Sequence, residues 1–340
     1  MKFLIIRFSS IGDIVLASPV MRCLKKQVPL AEVHFLTKLS FKIVTSSNPY
    51  IDKFFYYEDD LNKVIEELRK EDYDYIIDLH NNFRSNKVKR ALNKKSFTID
   101  KLNIEKFFLT NFHINFMPGI HITKRSLQTV QSFGVKDDGL GLDYFIADTD
   151  KVSESDIPTS HLAGYIAIVI GASYFTKKLP VYKLKELCSK LDYPVILIGG
   201  KEDVYQGQSV SEIDPIKIYN ACGKFNLNES ADLVRRSVLV ISNDTGLQYI
   251  ASAFKKPTLA IWGGTSPQLD VEPFYGHVFN KNYKGKIYEN IIVPGLWCQP
   301  CSKYGRKKCP LGHFNCMNKQ DIDSIINKAH ELLLTSKSNA

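Results

Sequence analysis

The sequence predicts an α/β protein built from two consecutive doubly wound domains, and three observations carry that prediction. Its 340 residues, at roughly 150 per domain, suffice for two domains, each with an apolar interior. Short β-rich runs alternate with helical periodicity in both halves, the pattern of parallel sheets covered by helices. A polar, acidic stretch, Ala147–Gly164, punctuated by Pro158, separates the halves. The expected organisation is a first domain over 1–150, a linker over 151–163 and a second domain over 164–340.

In the first half, the apolar run Phe3–Phe8 predicts a strand, Ser9–Asp13 a tight turn and Ile14–Lys26 a helix. Strands are expected at Val33–Leu36, Lys53–Tyr57 and Tyr75–Leu79, with helices at Asn62–Arg69 and Arg84–Leu92. In the second half, strands are expected at Tyr165–Ile170, Val195–Ile198, Val238–Ile241 and Thr258–Trp262. Helices are expected at Lys183–Leu191, Val204–Ile213 and Leu247–Phe254. Such sheets hold ligands at the carboxyl ends of their strands, so the expected site is a cleft between the domains.

With 44% hydrophobic and 24% charged residues, the composition is that of a globular protein, which excludes disordered and fibrous classes. The net charge of +9 favours anionic partners. No nucleic-acid recognition motif accompanies it, so nucleic acid is not an expected partner. The apolar run at the amino terminus is too short for a signal-peptide core and no window reaches the ~18 residues of a membrane span. The expected location is the cytoplasm, with seven reduced cysteines and a peripheral position on the inner membrane face open to it. The basic stripe Arg84–Lys106, eight Lys and Arg against Asp100 and Glu105, is either a solvated face or a surface for an anionic acceptor or bilayer.

Four loops fall at predicted strand ends. Asp13, in Ser9-Ser10-Ile11-Gly12-Asp13, is either a helix N-cap or a carboxylate general base. Gly171–Pro180 combines small residues with Lys177 and Lys178, which suits a phosphate but matches neither P-loop nor dinucleotide spacing. Asn243-Asp244-Thr245-Gly246 opens a helix whose amides suit a pyrophosphate, with Asp244 capping that helix or shaping its loop. Glu202, after Gly199-Gly200, is placed to accept ribose hydroxyls. Cys298, Cys301, Cys309 and Cys316 raise structural zinc, but the second pair is spaced more widely than the usual ligand pair, which favours packed thiols. Asp148 and Asp150 lie in the linker, away from any strand end, and are discounted as a metal clamp.

Together, IIRFSSIGDIVLASPVMRCLK, NDTGLQYIASAFKKPTLAIWG and CSKYGRKKCPLGHFNCM resemble glycosyltransferase family 9, the ADP-heptose:lipopolysaccharide heptosyltransferases, over nearly the whole chain. The resemblance implies a GT-B fold: two Rossmann-like domains with parallel sheets facing across a cleft, acceptor on the first, nucleotide sugar on the second. It also implies a terminal helix near Ile322–Leu334 packing back across the domains. By position, Asp13 would be the catalytic base. Ser173 and Lys177 would contact the donor phosphates, Glu202 the ribose, and Asp244, Thr245, Gly246 and Leu247 would form the donor loop. Ser10, Gly12, Asn81 and Arg84 would contact the acceptor, an anionic lipid A–Kdo core. The implied activity is inverting transfer of heptose from ADP-heptose, without a metal or other cofactor. Tyr249 stands where many relatives carry His, and Leu179 where Trp is common, so donor contacts are expected to differ there. Another nucleotide sugar or a protein acceptor on the same fold is the alternative. A noncatalytic module binding an anionic polymer is a further one, and the Asp13 and Lys177 constellation argues against it.

Overall fold

The computed structural model describes residues 1–339. Strands β1 (Lys2–Ile6), β2 (Glu32–Lys38), β3 (Lys53–Tyr57), β4 (Tyr75–Asp78) and β5 (Lys95–Thr98) form a parallel sheet in the order β3-β2-β1-β4-β5. Strands β6 (Ile166–Val169), β7 (Val195–Ile198), β8 (Ile218–Asn220), β9 (Leu239–Asn243), β10 (Thr258–Ile261) and β11 (Tyr288–Ile291) form a second, in the order β11-β10-β9-β6-β7-β8. Every strand of the second sheet's centre is buried along its whole length, as sheets covered on both faces require.

Strand order reverses between β1 and β4 in the first sheet and between β6 and β9 in the second. At such a switch point neighbouring connections leave in opposite directions and open a crevice at the carboxyl ends. The loops after these four strands are Arg7–Ser10, Leu79–Asn82, Ile170–Lys178 and Asp244–Thr245, so topology alone brings them together.

The expected helix Ile14–Lys26 is two helices, Ile11–Leu16 and Ser18–Gln27, broken at Ala17, with Pro19 in the first turn of the second. The expected turn ends earlier than Asp13, which lies inside the first helical turn. Strands β5, β8 and β11 and helices Asn103–Phe112, Ile122–Gln128 and Leu227–Arg236 go beyond the sequence expectation. β5 and β11 are edge strands with little buried surface, and β8 has only three residues, so none shows a period.

The linker is three single helical turns pinned to the helix Leu227–Arg236. The Val152 amide donates to Asp232 at 3.1 Å, and Asn228 donates to Asp150 at 2.7 Å. Asp148 pairs with Lys151. Upstream, buried Arg22 clamps the 138–143 segment through Asp138 at 2.7 Å, Asp143, and the Gly141 carbonyl at 2.8 Å. The helix Ile322–Lys337 does not cross between the halves. Ile322, Ile325, Ala329 and Leu332 pack with Leu184, Leu187, Leu259 and Ile291 of the second half. No helix among the described residues is long and apolar enough to cross a membrane.

The two halves share one apolar core, in which Phe3, Val15 and Leu24 are continuous with Val169, Ile198, Val240 and Ile250. At its edge the helices Ile11–Leu16 and Gly246–Ala253 cross with glycine on glycine. A Cβ on Gly246 would lie 2.5 Å from Ile11 Cγ2 and 2.8 Å from Ile11 Cβ, and one on Gly12 would lie 2.7 Å from the Tyr249 ring. Overpacking of this kind costs about 1–3 kcal/mol. Gly246→Ala is therefore expected to lower unfolding stability by about that amount in urea titration. An unchanged midpoint would show that the crossing is looser than these distances.

Candidate functional site

The four switch-point loops line one cleft of about 770 Å³. Its walls include Ser10, Gly12, Asp13, Ser173, Lys177, Asp244, Thr245 and Gly246, residues singled out in three separate stretches of sequence. Arg7, His80, Asn82, Lys101, Lys106, Tyr249, Lys303 and Tyr304 complete much of the remainder.

Asp13 is the third residue of its helix, so Ser10 and not Asp13 is the N-cap, and Asp13 takes part in capping by accepting the Ser10 amide in a capping box. The Ser10 amide and hydroxyl both donate to Asp13 Oδ2, at 3.1 and 2.7 Å, and Arg7 meets Oδ1 at 2.5 Å. About 37% of the side chain remains open to the cleft. Desolvation pushes its pKa up, but the Arg7 charge and the Ser10 hydrogen bonds outweigh it and bring the carboxyl down to about 2. Arg7 is itself fixed by the carbonyls of Ser9, at 3.0 Å, and Leu79, which ties the β1 loop to the β4 loop.

Beyond Arg7 the first-half wall is basic and underpaired. Burial, with Arg7 and Lys101 beside it, depresses His80 to about 4, so the imidazole is neutral, and its Nδ1 has no partner. Burial, then Arg125, lowers Lys106 to about 8; burial and Arg7 lower Lys101. The lining holds five cations, Arg7, Lys101, Lys106, Lys177 and Lys303, against two carboxylates, Asp13 and Asp244, each already ion-paired. This surplus suits a ligand carrying several negative charges.

On the second half, Lys177 Nζ pairs with Asp244 Oδ2 at 2.7 Å, and the Thr265 hydroxyl donates to the same oxygen at 2.8 Å. Asp244 therefore shapes the loop. Thr245, not Asp244, is the N-cap of the helix Gly246–Ala253, and its side chain makes no capping bond. The lysine loop is braced by the cysteine-rich tail, since the Arg306 amide donates to Thr176 Oγ1 at 2.8 Å and the Thr176 amide to the Arg306 carbonyl at 3.1 Å, and by the loop after β10, where the Gly264 amide donates to the Thr176 carbonyl at 2.7 Å.

Several expected contacts fall elsewhere. Asn81 points its amide at the Ile99 carbonyl, 3.1 Å away, and its neighbour Asn82 lines the cleft instead. Arg84 is exposed on the helix Phe83–Leu92 and outside the lining. Leu247 and Leu179 are buried, and Glu202 is exposed beside Gly200, outside the lining. Tyr249 packs on Gly12 and donates to the Val271 carbonyl at 2.7 Å.

The basic stripe is not one face. Lys89 pairs with buried Asp78 and Lys94 with Asp72, while Lys101 and Lys106 turn into the cleft. The four tail thiols, all free, surround a void of about 20 Å³ with His313, whose Nε2 lies 3.9 Å from Cys298 Sγ. Burial raises Cys298 and Cys301, and pushes Cys316 to about 12, which favours thiols over thiolates. Among the described residues, the one group of three or more potential metal-binding side chains with all ligand atoms within 4.8 Å of one another is Glu32, His34 and Glu71. There Lys2 and Lys53 already neutralise the carboxylates.

Arg7, His80, Lys303 and buried Asp203 were not singled out in the sequence. Asp203 accepts Lys178 at 2.6 Å and the Gly200 amide at 3.0 Å, fixing the β7 loop. The available signal for Arg7 was a lone cation ending an otherwise apolar strand.

Because Asp13 titrates lower in the fold than its ordinary value of about 4, its pairing stabilises the protein above that pH, and the contribution is lost as pH falls towards 2. Arg7→Met is expected to raise the Asp13 midpoint. At pH near 4 the carboxyl 13C shift should report ionised Asp13 in the parent and a partly protonated one in the variant. Equal shifts would assign the depression to Ser10 alone.

Residues 61–304 match the model of Glycosyltransferase family 9 (heptosyltransferase), a stretch that holds the loops after β4, β6 and β9 and begins after Asp13. The chain is 28% identical over 307 residues to lipopolysaccharide heptosyltransferase 1 of Campylobacter coli, covering 83% of this chain and 87% of that protein. A family 9 glycosyl transferase from Veillonella parvula superposes with a TM-score of 0.75 at 19% identity, over 98% of this chain and 97% of the other. The E. coli ADP-heptose LPS heptosyltransferase II does so at 0.71 and 18% identity, over 99% and 100%. Two Rossmann-like sheets of the GT-B arrangement, facing across a basic cleft, thus accompany a family match over most of the sequence, and the chain belongs to glycosyltransferase family 9, the heptosyltransferases.

Proposed function

We propose that this glycosyltransferase moves a heptose from ADP-heptose to an anionic inner-core lipopolysaccharide acceptor, with inversion and without a metal. The observation that carries the reading is the placement of an ionised, partly open Asp13 opposite Lys177 and the start of the helix Gly246–Ala253 in one cleft. The similarity to Campylobacter coli lipopolysaccharide heptosyltransferase 1 supports the donor and acceptor class.

The acceptor hydroxyl would approach from the first half, its proton passing to Asp13 as its oxygen bonds the anomeric carbon. The bond from that carbon to the phosphate oxygen breaks on the opposite face, and its electron pair leaves with ADP. Asp13 at about 2 is a weak base in the free protein. It serves best if the acceptor proton becomes acidic late, when positive charge has built on the sugar. Lys177 and the amides at Thr245, Gly246 and Leu247 would offset the charge developing on the diphosphate, a role that needs fixed dipoles more than a bound cation. Ser173 stands in the same wall for a phosphate oxygen, and Glu202, exposed at the neighbouring strand end outside the lining, would meet only a ribose that extends beyond the cleft. Ser10 and Gly12 line the acceptor side, with Lys101 and Lys106 as the cations for an acidic acceptor group. Asn82 takes the lining place assigned by sequence to Asn81.

ADP release from ADP-heptose with a Kdo-lipid A acceptor tests this. Turnover is expected to survive EDTA, to fall about 100- to 10,000-fold in Asp13→Ala through loss of the base, and to fall in Lys177→Ala mainly in kcat. A correctly folded protein that fails to bind ADP-heptose would send the search to another nucleotide sugar. Binding without turnover would implicate the acceptor.

A further inference from the structure

The helix Asn103–Phe112 serves the cleft with one side and leaves the other bare. Asn103 and Lys106 line the cleft, whereas Ile104, Phe107 and Phe112 are 53–70% exposed. The following loop adds exposed Ile114 and Phe116, and the rings of Phe107, Phe112 and Phe116 gather around Phe108 at centroid distances of 5.6–6.1 Å. The cysteine-rich tail extends this face. Trp297, 70% exposed, meets His113 edge-on at 6.0 Å, and Lys303 Nζ reaches Asn103 Oδ1 at 3.4 Å. A contiguous exposed cluster of large apolar side chains is unusual on a free surface and needs an occupant.

Charge selects that occupant. Residues 101–125 contain a single acid, Glu105, and Trp297–Lys308 contains none, against exposed Lys303, Arg306, Lys307 and Lys308. Exposed aromatics on a surface helix, beside a segment that carries Trp297, Tyr304 and four exposed cations, have the composition of a surface that seats in the headgroup region of an anionic bilayer. A second copy of the same basic face would be repelled. We infer that the helix Asn103–Phe112, its following loop and the Trp297–Lys308 tail form a membrane-docking rim that sets the cleft mouth on an anionic lipid surface. The inference rests on the reading of the acceptor as lipid-anchored. A rim on the same helix as Lys106 would let the acceptor's sugars enter while its acyl chains stay in the bilayer.

Cosedimentation with acceptor-free vesicles, phosphatidylcholine with and without about one third phosphatidylglycerol, tests the rim independently of catalysis. The full chain is expected to bind the anionic vesicles and to be released by salt. Phe107→Ser/Phe112→Ser/Phe116→Ser is expected to weaken binding at least about tenfold, and Lys307→Glu/Lys308→Glu to weaken it selectively on anionic vesicles. In the serine variant, transfer to a soluble, deacylated acceptor should match the parent, which shows that the fold and site are intact, while transfer to vesicle-embedded acceptor falls. No binding by the parent, or equal binding by the serine variant, would overturn the rim. So would a parent dimer that the serine substitutions dissociate, because the face would then belong to a second copy. Vesicle binding without any ADP release in either protein would instead leave the rim standing and remove the proposed reaction.

Discussion

Everything chemical in this molecule depends on how closely two helices can cross at Gly12 and Gly246. Each glycine faces a side chain of the opposite helix at a distance where a single added carbon would collide. The crossing joins the loop after β1 to the loop after β9, the strands that flank the switch points of the two sheets. Asp13 and the Asp244–Thr245 turn are thereby held in one cleft although more than 200 residues separate them in the chain. A wider crossing would keep both sheets intact and still separate Asp13 from the Asp244–Thr245 turn.

The cleft's electrostatics follow from what is left unpaired. Asp13 and Asp244 each hold one arginine or lysine, and Lys101, Lys106 and Lys303 face the cavity without an anion of their own. Burial has already weakened the proton affinity of Lys101 and Lys106, so a bound acidic group would recover much of that desolvation cost. Affinity for acidic ligands is thus stored as incompletely solvated charge. Neutral His80, with its unpartnered Nδ1, adds a polar group without adding to the repulsion.

The strand-end loops were legible in the sequence because glycine, serine and aspartate interrupt apolar runs there, as at Ser9–Asp13 and Asn243–Gly246. The roles inside them were less so. Asp13 and Asp244 each read as helix caps, but Ser10 and Thr245 take the N-cap positions; Asp13 supports its cap from the third helical position while pairing with Arg7, and Asp244 pairs with Lys177. Arg84 and Asn81 were carried by their position in a segment. The left-handed backbone at Asn81 turns its side chain towards Ile99, which no periodicity reveals. The helix Asn103–Phe112 escaped because its apolar residues point both inward and outward, which erases the single stripe on which helix reading depends. The shared core was invisible for a similar reason: the polar linker reads as a boundary, yet it lies against the helix Leu227–Arg236 and is hydrogen-bonded to it.

That shared core also constrains how a substrate gets in. Swinging the halves apart as rigid bodies would wet Val15, Leu247 and Ile250, at roughly 25 cal/mol for each Å² of apolar surface uncovered, and would break the hydrogen bonds from Tyr144 to Asn228 and from Lys255 to the Leu140 carbonyl. A ligand arriving at the cleft therefore finds the opposing wall already in place, held there by the apolar surface the two halves share.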